Sequence, residues 1–116
     1  MRFTQLLSMT AVAIFASIPS AVADDHTSCT CHNQDSYNWR ITTAACDLYN
    51  NWNNDNNAVA YDSPSGRCNT IDANQVIDGK NWENACQETA KAGFQCTSGQ
   101  GTCYVEDTSN VQGWCK

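Results

Sequence analysis

The sequence predicts a small α+β domain, a disulfide-stapled sandwich in which an antiparallel β-sheet carries two helices on one face in the order βαββαβ. Three observations lead to this prediction. The chain of 116 residues contains 8 Cys, a density typical of secreted disulfide scaffolds. Two segments repeat apolar residues at helical spacing, and short alternating segments lie around them. The chain is too short for a second domain of this kind.

The N-terminal segment, residues 1–23, has the pattern of a secretory signal peptide. Arg2 supplies the positive charge, an apolar stretch runs from Leu6 to Ile18, and residues 21–23 read A-V-A, a cleavage site. The apolar stretch is too short to span a bilayer. We therefore expect one domain, residues 24–116, to be secreted to the cell exterior as a monomer with every cysteine in a disulfide. These are Cys29, Cys31, Cys46, Cys68, Cys86, Cys96, Cys103 and Cys115.

Few apolar side chains are left after residue 23 to build a core. Leu, Ile, Val and Phe account for 9 of the remaining 93 residues, a share that is typical of disordered chains. The cysteines oppose that interpretation, because four disulfides at roughly 3 kcal/mol each would contribute about 12 kcal/mol, comparable with the net stability of a domain. We expect covalent cross-links to replace much of the core.

The first strand and the first helix are predicted from two different periodicities. Cys29 and Cys31 alternate with polar residues over residues 28–32, so both sulfurs should lie on one face of a strand and pair with different partners. From Trp39 to about Trp52, apolar residues recur at helical spacing. The helix should fray in the Asn-rich segment 50–57, because Asn favours caps and turns.

A hairpin and a second helix follow. The β-like segments 58–62 and 67–71 flank Ser-Pro-Ser-Gly, which suits a turn. Asp78 can N-cap the second helix, Ile77 and Trp82 stand at the positions of a hydrophobic staple, and Gly93 can end the helix as a left-handed C′ residue. The predicted inward face consists of Trp82, Ala85, Cys86, Thr89, Ala90 and Gly93.

The cysteines of the two helices, Cys46 and Cys86, should each reach a strand, although spacing does not determine the complete pairing. Beyond the second helix, segments 94–97 and 102–105 predict a further strand or hairpin around Ser-Gly-Gln-Gly. Trp114 and Cys115 are expected to hold the C-terminal segment against the domain.

The C-x-C first strand, one cysteine in each helix and the opening of helix two, I-D-G-x-x-W-x-x-x-C from Ile77 to Cys86, resemble a known family. They look like the small secreted effectors of plant-associated fungi that have the killer-toxin-like α/β-sandwich fold, over most of residues 27–105. The resemblance implies virulence or toxin-like activity in the apoplast, by binding a host protein or receptor or a competitor target. It transfers no catalytic residue. Killer toxins are cut at dibasic sites, and this sequence has no Lys/Arg pair, so a two-subunit toxin is not expected.

Charge excludes some partners, and a second function remains open. Acidic residues outnumber basic ones by 12 to 6, and the basic residues are scattered, so neither nucleic-acid binding nor cationic membrane lysis is expected. The alternative to an effector is a carbohydrate-binding or antimicrobial cell-wall protein, with a wall polysaccharide as its partner. A pull-down on insoluble chitin or glucan would separate the two functions.

No metal or other cofactor is predicted. The Cys29-x-Cys31 pair beside His32 lacks the spacing of zinc sites, and an oxidising compartment favours disulfides. Asn51, Asn53, Asp55 and Asn57 alternate like the ligands of a calcium loop, but the acidic first ligand is missing.

A catalytic set can be written down, but no motif requires it. His32 with Glu83 or Glu88 and with Arg40 or Arg67 would make a ribonuclease-like group. We expect a binding protein rather than an enzyme.

The predicted binding surface is the Asn-rich segment around Trp52. An exposed aromatic side chain can stack on a sugar or anchor a protein partner, and loops carry binding residues more often than a stapled interior does. Trp52, Asn53 and Asn54 are the candidate contacts. Trp82 is assigned to the core.

Overall fold

The computed structural model describes residues 25–53 and 58–116, so the predicted signal peptide and Asn54 lie outside the described residues. The elements are β1 (Asp25–His26), β2 (Ser28–Asn33), β3 (Ser36–Tyr37), α1 (Trp39–Asn53), β4 (Val59–Asp62), β5 (Arg67–Thr70), β6 (Ile77–Asp78), α2 (Gly79–Ala92), β7 (Phe94–Gln95), β8 (Thr102–Cys103), a 3₁₀ helix (Thr108–Asn110) and β9 (Val111–Cys115).

The main sheet has the strand order β9-β2-β5-β4, with β3 also paired to β2. Every pairing is antiparallel. Two further two-stranded ladders join β1 to β6 and β7 to β8. Two helices, antiparallel sheets and four disulfides make this a small disulfide-rich α+β fold, as the sequence predicts.

The strand that completes the main sheet after the second helix is not the expected one. Segments 94–97 and 102–105 do form a hairpin, but its two-residue strands β7 and β8 make a separate ladder, closed by the Cys96–Cys103 disulfide. The main sheet is completed by β9, which pairs with β2 over five residue pairs and is cross-linked to it by Cys29–Cys115. The Gly- and Ser-rich turn leaves only two residues on each side of the hairpin for pairing.

Both helices begin at side-chain caps. The Asn38 side-chain oxygen accepts a hydrogen bond from the Ile41 N–H at 2.9 Å at the start of α1. The carboxylate of Asp78 accepts from the N–H groups of Lys80 and Asn81 at 2.9 and 3.1 Å, which confirms it as the N-cap of α2. At its other end α1 extends to Asn53, within one residue of the prediction.

Gly93 follows α2 in a conformation other than the predicted one. Its φ is +120° but its ψ is 142°, so the residue is not in the left-handed helical region. A Cβ at this position would lie 2.6 Å from Cγ2 of Thr102 and 3.0 Å from the ring of Tyr104. Glycine is therefore required here by the close approach of the following chain as well as by the positive φ.

The core lies between the helices and one face of the sheet. Cys29 and Cys31 point to the same face, as the alternation predicts, and bond to Cys115 in β9 and Cys86 in α2. Cys46 joins α1 to β5 through Cys68, whose position opposite Cys29 puts it on that face too. The helix cysteines thus each reach a strand, and both helices cover the same side of the sheet.

Trp82 is the largest fully buried side chain of the core. Its indole N–H donates to the Thr30 carbonyl at 2.8 Å, and its ring meets that of Tyr49 edge-on at 6.0 Å between centroids. The assignment of Trp82 to the core is confirmed.

Within the described part of the chain, no helix is long and apolar enough to cross a membrane.

Candidate binding groove on the open face of the sheet

The face of the sheet opposite the helices carries a groove of about 400 Å³. Strand alternation directs Thr30 and His32 away from the cysteine face of β2, and Trp114 lies opposite Thr30 in β9. The groove is lined mainly by Thr30, His32, Tyr37, Arg67, Trp114 and Lys116. These residues come from four separate strands and the end of the described chain, so only the tertiary fold brings them together.

A stacked pair of rings, His32 and Trp114, lines the groove. His32 and Trp114 lie 3.7 Å apart between ring centroids, at an interplanar angle of 14°, and Tyr37 meets the imidazole edge-on at 5.8 Å. The imidazole is only 8% exposed, whereas Trp114 and Tyr37 are 47% and 43% exposed. The indole therefore covers His32 and turns its other face to solvent.

The surroundings of His32 disfavour its charged form. Burial is the main cause that lowers the pKa of His32, and the charge of Arg67 lowers it further. The backbone and carboxylate of Asp35 act in the opposite direction without reversing the shift. Its Nε2 lies 3.1 Å from the Thr30 hydroxyl, while Nδ1 is buried without a hydrogen bond of good geometry among the described residues.

Tyr37 connects the groove to the β4–β5 turn. Its hydroxyl donates to the Gly66 carbonyl at 2.6 Å and lies 3.4 Å from the Tyr61 hydroxyl. Desolvation, followed by the contact with Tyr61, raises the pKa of the Tyr37 phenol well above its usual value. Tyr37 therefore stays protonated, and it fixes the position of the turn beside the groove.

Two basic residues lie at the groove, and none of its lining residues is acidic. The Arg67 guanidinium is anchored to Ser28, donating to the serine hydroxyl and, at 2.8 Å, to its carbonyl. The Nη1 group has no partner among the described residues. The backbone of Lys116 is fixed as well, because its carbonyl accepts from the N–H groups of Thr27 and Ser28, both at 3.2 Å.

The predicted surface around Trp52 lies elsewhere on the molecule. Trp52 is 45% exposed and lines a second groove of about 370 Å³ with Asn84, Gln87, Glu88, Lys91 and Thr108. Asn53 is the last residue of α1, and Asn54 lies outside the described residues. The role of these three residues in binding stays a prediction.

The ribonuclease-like set is not assembled. His32 and Arg67 share the open-face groove, but Glu83 accepts a hydrogen bond from the Gly113 N–H at the edge of the sheet and Glu88 lines the second groove. Arg40 is bound to the side chain of Gln95 and the carbonyl of Cys96.

The residues of the possible metal sites are also separated or engaged. Cys29 and Cys31 are in disulfides rather than free as thiolates. In residues 25–53 and 58–116, no three His, Cys, Asp or Glu side chains are grouped so that they could hold a metal ion. Asp55 and Asn57 of the calcium-like pattern lie outside the described residues.

Sequence reasoning missed Trp114, Tyr37 and Lys116 as parts of one surface. The alternation that placed the cysteines also puts Thr30 and His32 on the opposite face of β2, but no short-range pattern links them to Trp114, Tyr37 or Lys116. In β9 the glycine at position 113 interrupts the apolar pattern.

Comparison with known proteins does not add a function. No protein-family model matches the chain, and neither a curated protein nor a solved structure matches it significantly.

Proposed function

We propose that this protein is a secreted, disulfide-stapled effector that acts by binding a host or competitor target through the open-face groove. The observation that carries the proposal is the exposure of Trp114 and Tyr37 on the sheet face that the helices leave uncovered. Large aromatic side chains are enriched at the energetic centres of protein interfaces and bury much area at low entropic cost. Exposure alone is shared by Trp39 and Tyr104; the position of Trp114 and Tyr37 beside one groove is what favours a binding role.

The rigidity of this surface supports the same proposal. His32 backs the indole of Trp114, and the neighbouring Cys115 is bonded to Cys29 in the adjacent strand. Tyr37 is held by the Gly66 carbonyl. A preorganised surface loses little conformational entropy on binding, so more of the contact energy appears as affinity.

Secretion is part of the proposal and has its own test. Four disulfides suit an oxidising extracellular compartment. The intact mass of the secreted protein should correspond to a chain that begins at Asp24 and has lost eight hydrogens relative to the reduced form. A free thiol in folded, secreted protein would contradict it.

The function is tested by infiltrating purified protein into plant tissue beside a microbial growth assay. We expect Trp114→Ala to lose the response while its melting temperature stays close to that of the wild type. A variant with Trp52, Asn53 and Asn54 all changed to Ala probes the second groove in the same assay. A folded, fully active Trp114→Ala would remove the open-face groove from the proposal, and loss of activity only in the triple variant would assign the function to the surface around Trp52.

The alternative, a carbohydrate-binding or antimicrobial wall protein, is favoured by one observation at the second groove. There the exposed indole of Trp52 stands beside the side-chain amides of Asn84 and Gln87. Indoles stack on sugar rings and amides can both donate to and accept from sugar hydroxyls. Retention on insoluble chitin or glucan that is lost in both Trp52→Ala and Asn84→Ala, but kept in Trp114→Ala, would support this function instead.

A further inference from the structure

We propose that the open-face groove binds a sugar acid, a pyranose ring carrying a carboxylate at the end of a short saccharide. This inference rests on the proposed function, because it names the ligand class of the same groove. It requires two features to stand side by side, a flat aromatic face for the ring and a cation for the carboxylate.

The aromatic face is supplied by Trp114. One side of its indole is covered by His32 at a stacking distance of 3.7 Å, so the exposed area lies chiefly on the other side. The C–H face of a pyranose is apolar and flat, and it packs well against an indole. The hydrogen bond from the indole N–H to the Gln112 side chain, 3.3 Å long, further restrains the ring.

The cations are supplied by Arg67 and Lys116. The chain has twice as many acidic as basic residues, yet two basic and no acidic side chains line this groove. The bonds to Ser28 hold the Arg67 guanidinium in place and leave Nη1 without a partner among the described residues. A fixed guanidinium fork matches the geometry of a carboxylate, and such hydrogen bonds are stronger than those between neutral groups.

The ligand should be short rather than a long polyanion. The net charge of the chain is −6, which repels a polymer carrying many negative charges over its whole length. Two cations suit one or two carboxylates, because attraction at the groove is local and screening limits repulsion beyond about 8 Å at physiological ionic strength.

A peptide carboxylate fits this groove less well than a sugar acid. Proteins that capture a peptide C-terminus use free backbone N–H groups. The N–H groups of Thr27 and Ser28, beside the lining residue Lys116, already donate to its carbonyl. The groove also presents the half-exposed rings of Trp114 and Tyr37, which suit a flat sugar ring.

The test is a titration of the secreted protein with methyl glycosides of glucuronate, galacturonate and N-acetylneuraminate, against the neutral methyl glucoside and galactoside. Binding is followed by nuclear magnetic resonance of the indole N–H signals. We expect at least one acid to bind about tenfold more tightly than its neutral counterpart and to perturb the Trp114 signal, with a difference that shrinks as salt is added.

Matched variants locate the carboxylate. Lys116→Ala and Arg67→Gln should each weaken binding of the sugar acid several-fold and leave binding of neutral sugars unchanged. Lys91→Ala removes the cation of the second groove and should change neither the affinity for the acid nor that for neutral sugars. Lys116→Ala keeps the backbone contacts of the C-terminal strand, so it remains informative if Arg67→Gln unfolds.

Equal affinity for acids and neutral sugars, or no binding of any acid by the folded wild type, would overturn the ligand class. If Trp114→Ala nevertheless abolishes the biological response, the proposed function stands and the ligand of the groove belongs to another class, a neutral saccharide where acids and neutral sugars bind equally. If Trp114→Ala remains fully active, the proposed use of the groove fails whatever the titration shows.

Discussion

Trp82 stabilises the fold in two ways at once. Its ring fills the space between α2 and the sheet, and its buried indole N–H finds an acceptor in the Thr30 carbonyl. A buried tryptophan that also makes a hydrogen bond combines a large hydrophobic contribution with the avoidance of an unsatisfied polar group.

We predict that Trp82→Ala lowers the free energy of unfolding by about 3–5 kcal/mol. The measurement is equilibrium unfolding in denaturant with the disulfides intact. Trp82→Phe should fall between Ala and the wild type, because it keeps most of the apolar surface but loses the hydrogen bond to the Thr30 carbonyl. Trp52→Ala, at an exposed position, is the control. Equal stability of Trp82→Ala and Trp52→Ala would contradict the packing described.

The buried His32 should make stability depend on pH. Burial lowers its pKa in the folded state below the ordinary value near 6.5, so the unfolded chain binds more protons than the folded one in this window. Linkage then requires the free energy of unfolding to rise with pH. The stability that depends on neutral His32 is lost as the pH falls from about 6.5 through the folded-state pKa.

The comparison for this prediction is His32→Gln, which has no charge to gain. The melting temperature of the wild type should fall more steeply on acidification from neutral pH than that of the variant, with His26 present in both. Parallel pH profiles would mean that His32 titrates alike in the folded and unfolded states.

At the scale of elements, α2 protects the edge of the main sheet. The Glu83 carboxylate accepts from the Gly113 N–H at 3.1 Å, and the Gln87 side-chain amide donates to the Val111 carbonyl at 3.0 Å. Both backbone groups belong to the outer strand β9. An edge strand whose polar groups are already bonded to a helix is a poor template for pairing with another chain.

Gly113 permits this close packing, and its replacement is the prediction at this scale. A Cβ at position 113 would lie 2.6 Å from Cδ1 of the buried Trp82 and 3.1 Å from Cα of Glu83. Neither atom can move freely, so we expect Gly113→Ala to cost about 1–3 kcal/mol of stability. Gln112→Ala, on the open face of the same strand, should have a free energy of unfolding close to that of the wild type. A Gly113→Ala protein as stable as that control would show that α2 can shift outward without loss.

At the scale of the whole molecule, the disulfides close loops of very different length. Cys29–Cys115 spans 86 residues, Cys31–Cys86 spans 55, Cys46–Cys68 spans 22 and Cys96–Cys103 spans 7. The first three join elements around the buried cluster, whereas the last closes only the β7–β8 hairpin. Constraint of the unfolded chain increases with loop length.

Paired Cys→Ser variants should reflect this difference. Replacing Cys96 and Cys103 should lower stability least, by about 2–3 kcal/mol, and leave the protein folded. Replacing Cys29 and Cys115 should cost more, because it frees a longer loop and puts a hydroxyl at the fully buried position 29. The measurement is the melting temperature of each oxidised variant. A hairpin variant less stable than the 29/115 variant would contradict the loop-length argument.

The sequence by itself determined the features that depend on neighbours a few residues apart. Helical spacing and the cap at Asp78 place α2, the alternation around Cys29 and Cys31 places both sulfurs on one face, and Trp82 follows as a core residue. These predictions succeed because periodicity and capping are short-range effects. For the same reason, Trp52 was predicted to be exposed from its polar neighbours alone.

Only the tertiary structure decided which strand completes the sheet, how the cysteines pair and where the open-face groove lies. The partner of β9 is β2, about eighty residues earlier in the chain, and a two-fold alternation interrupted by Gly113 gives little local signal for that pairing. His32, Arg67 and Trp114 are distant in sequence and share a surface only after β2, β5 and β9 align. Non-local pairing is determined by the packing free energy of the whole sheet, which no short segment of sequence contains.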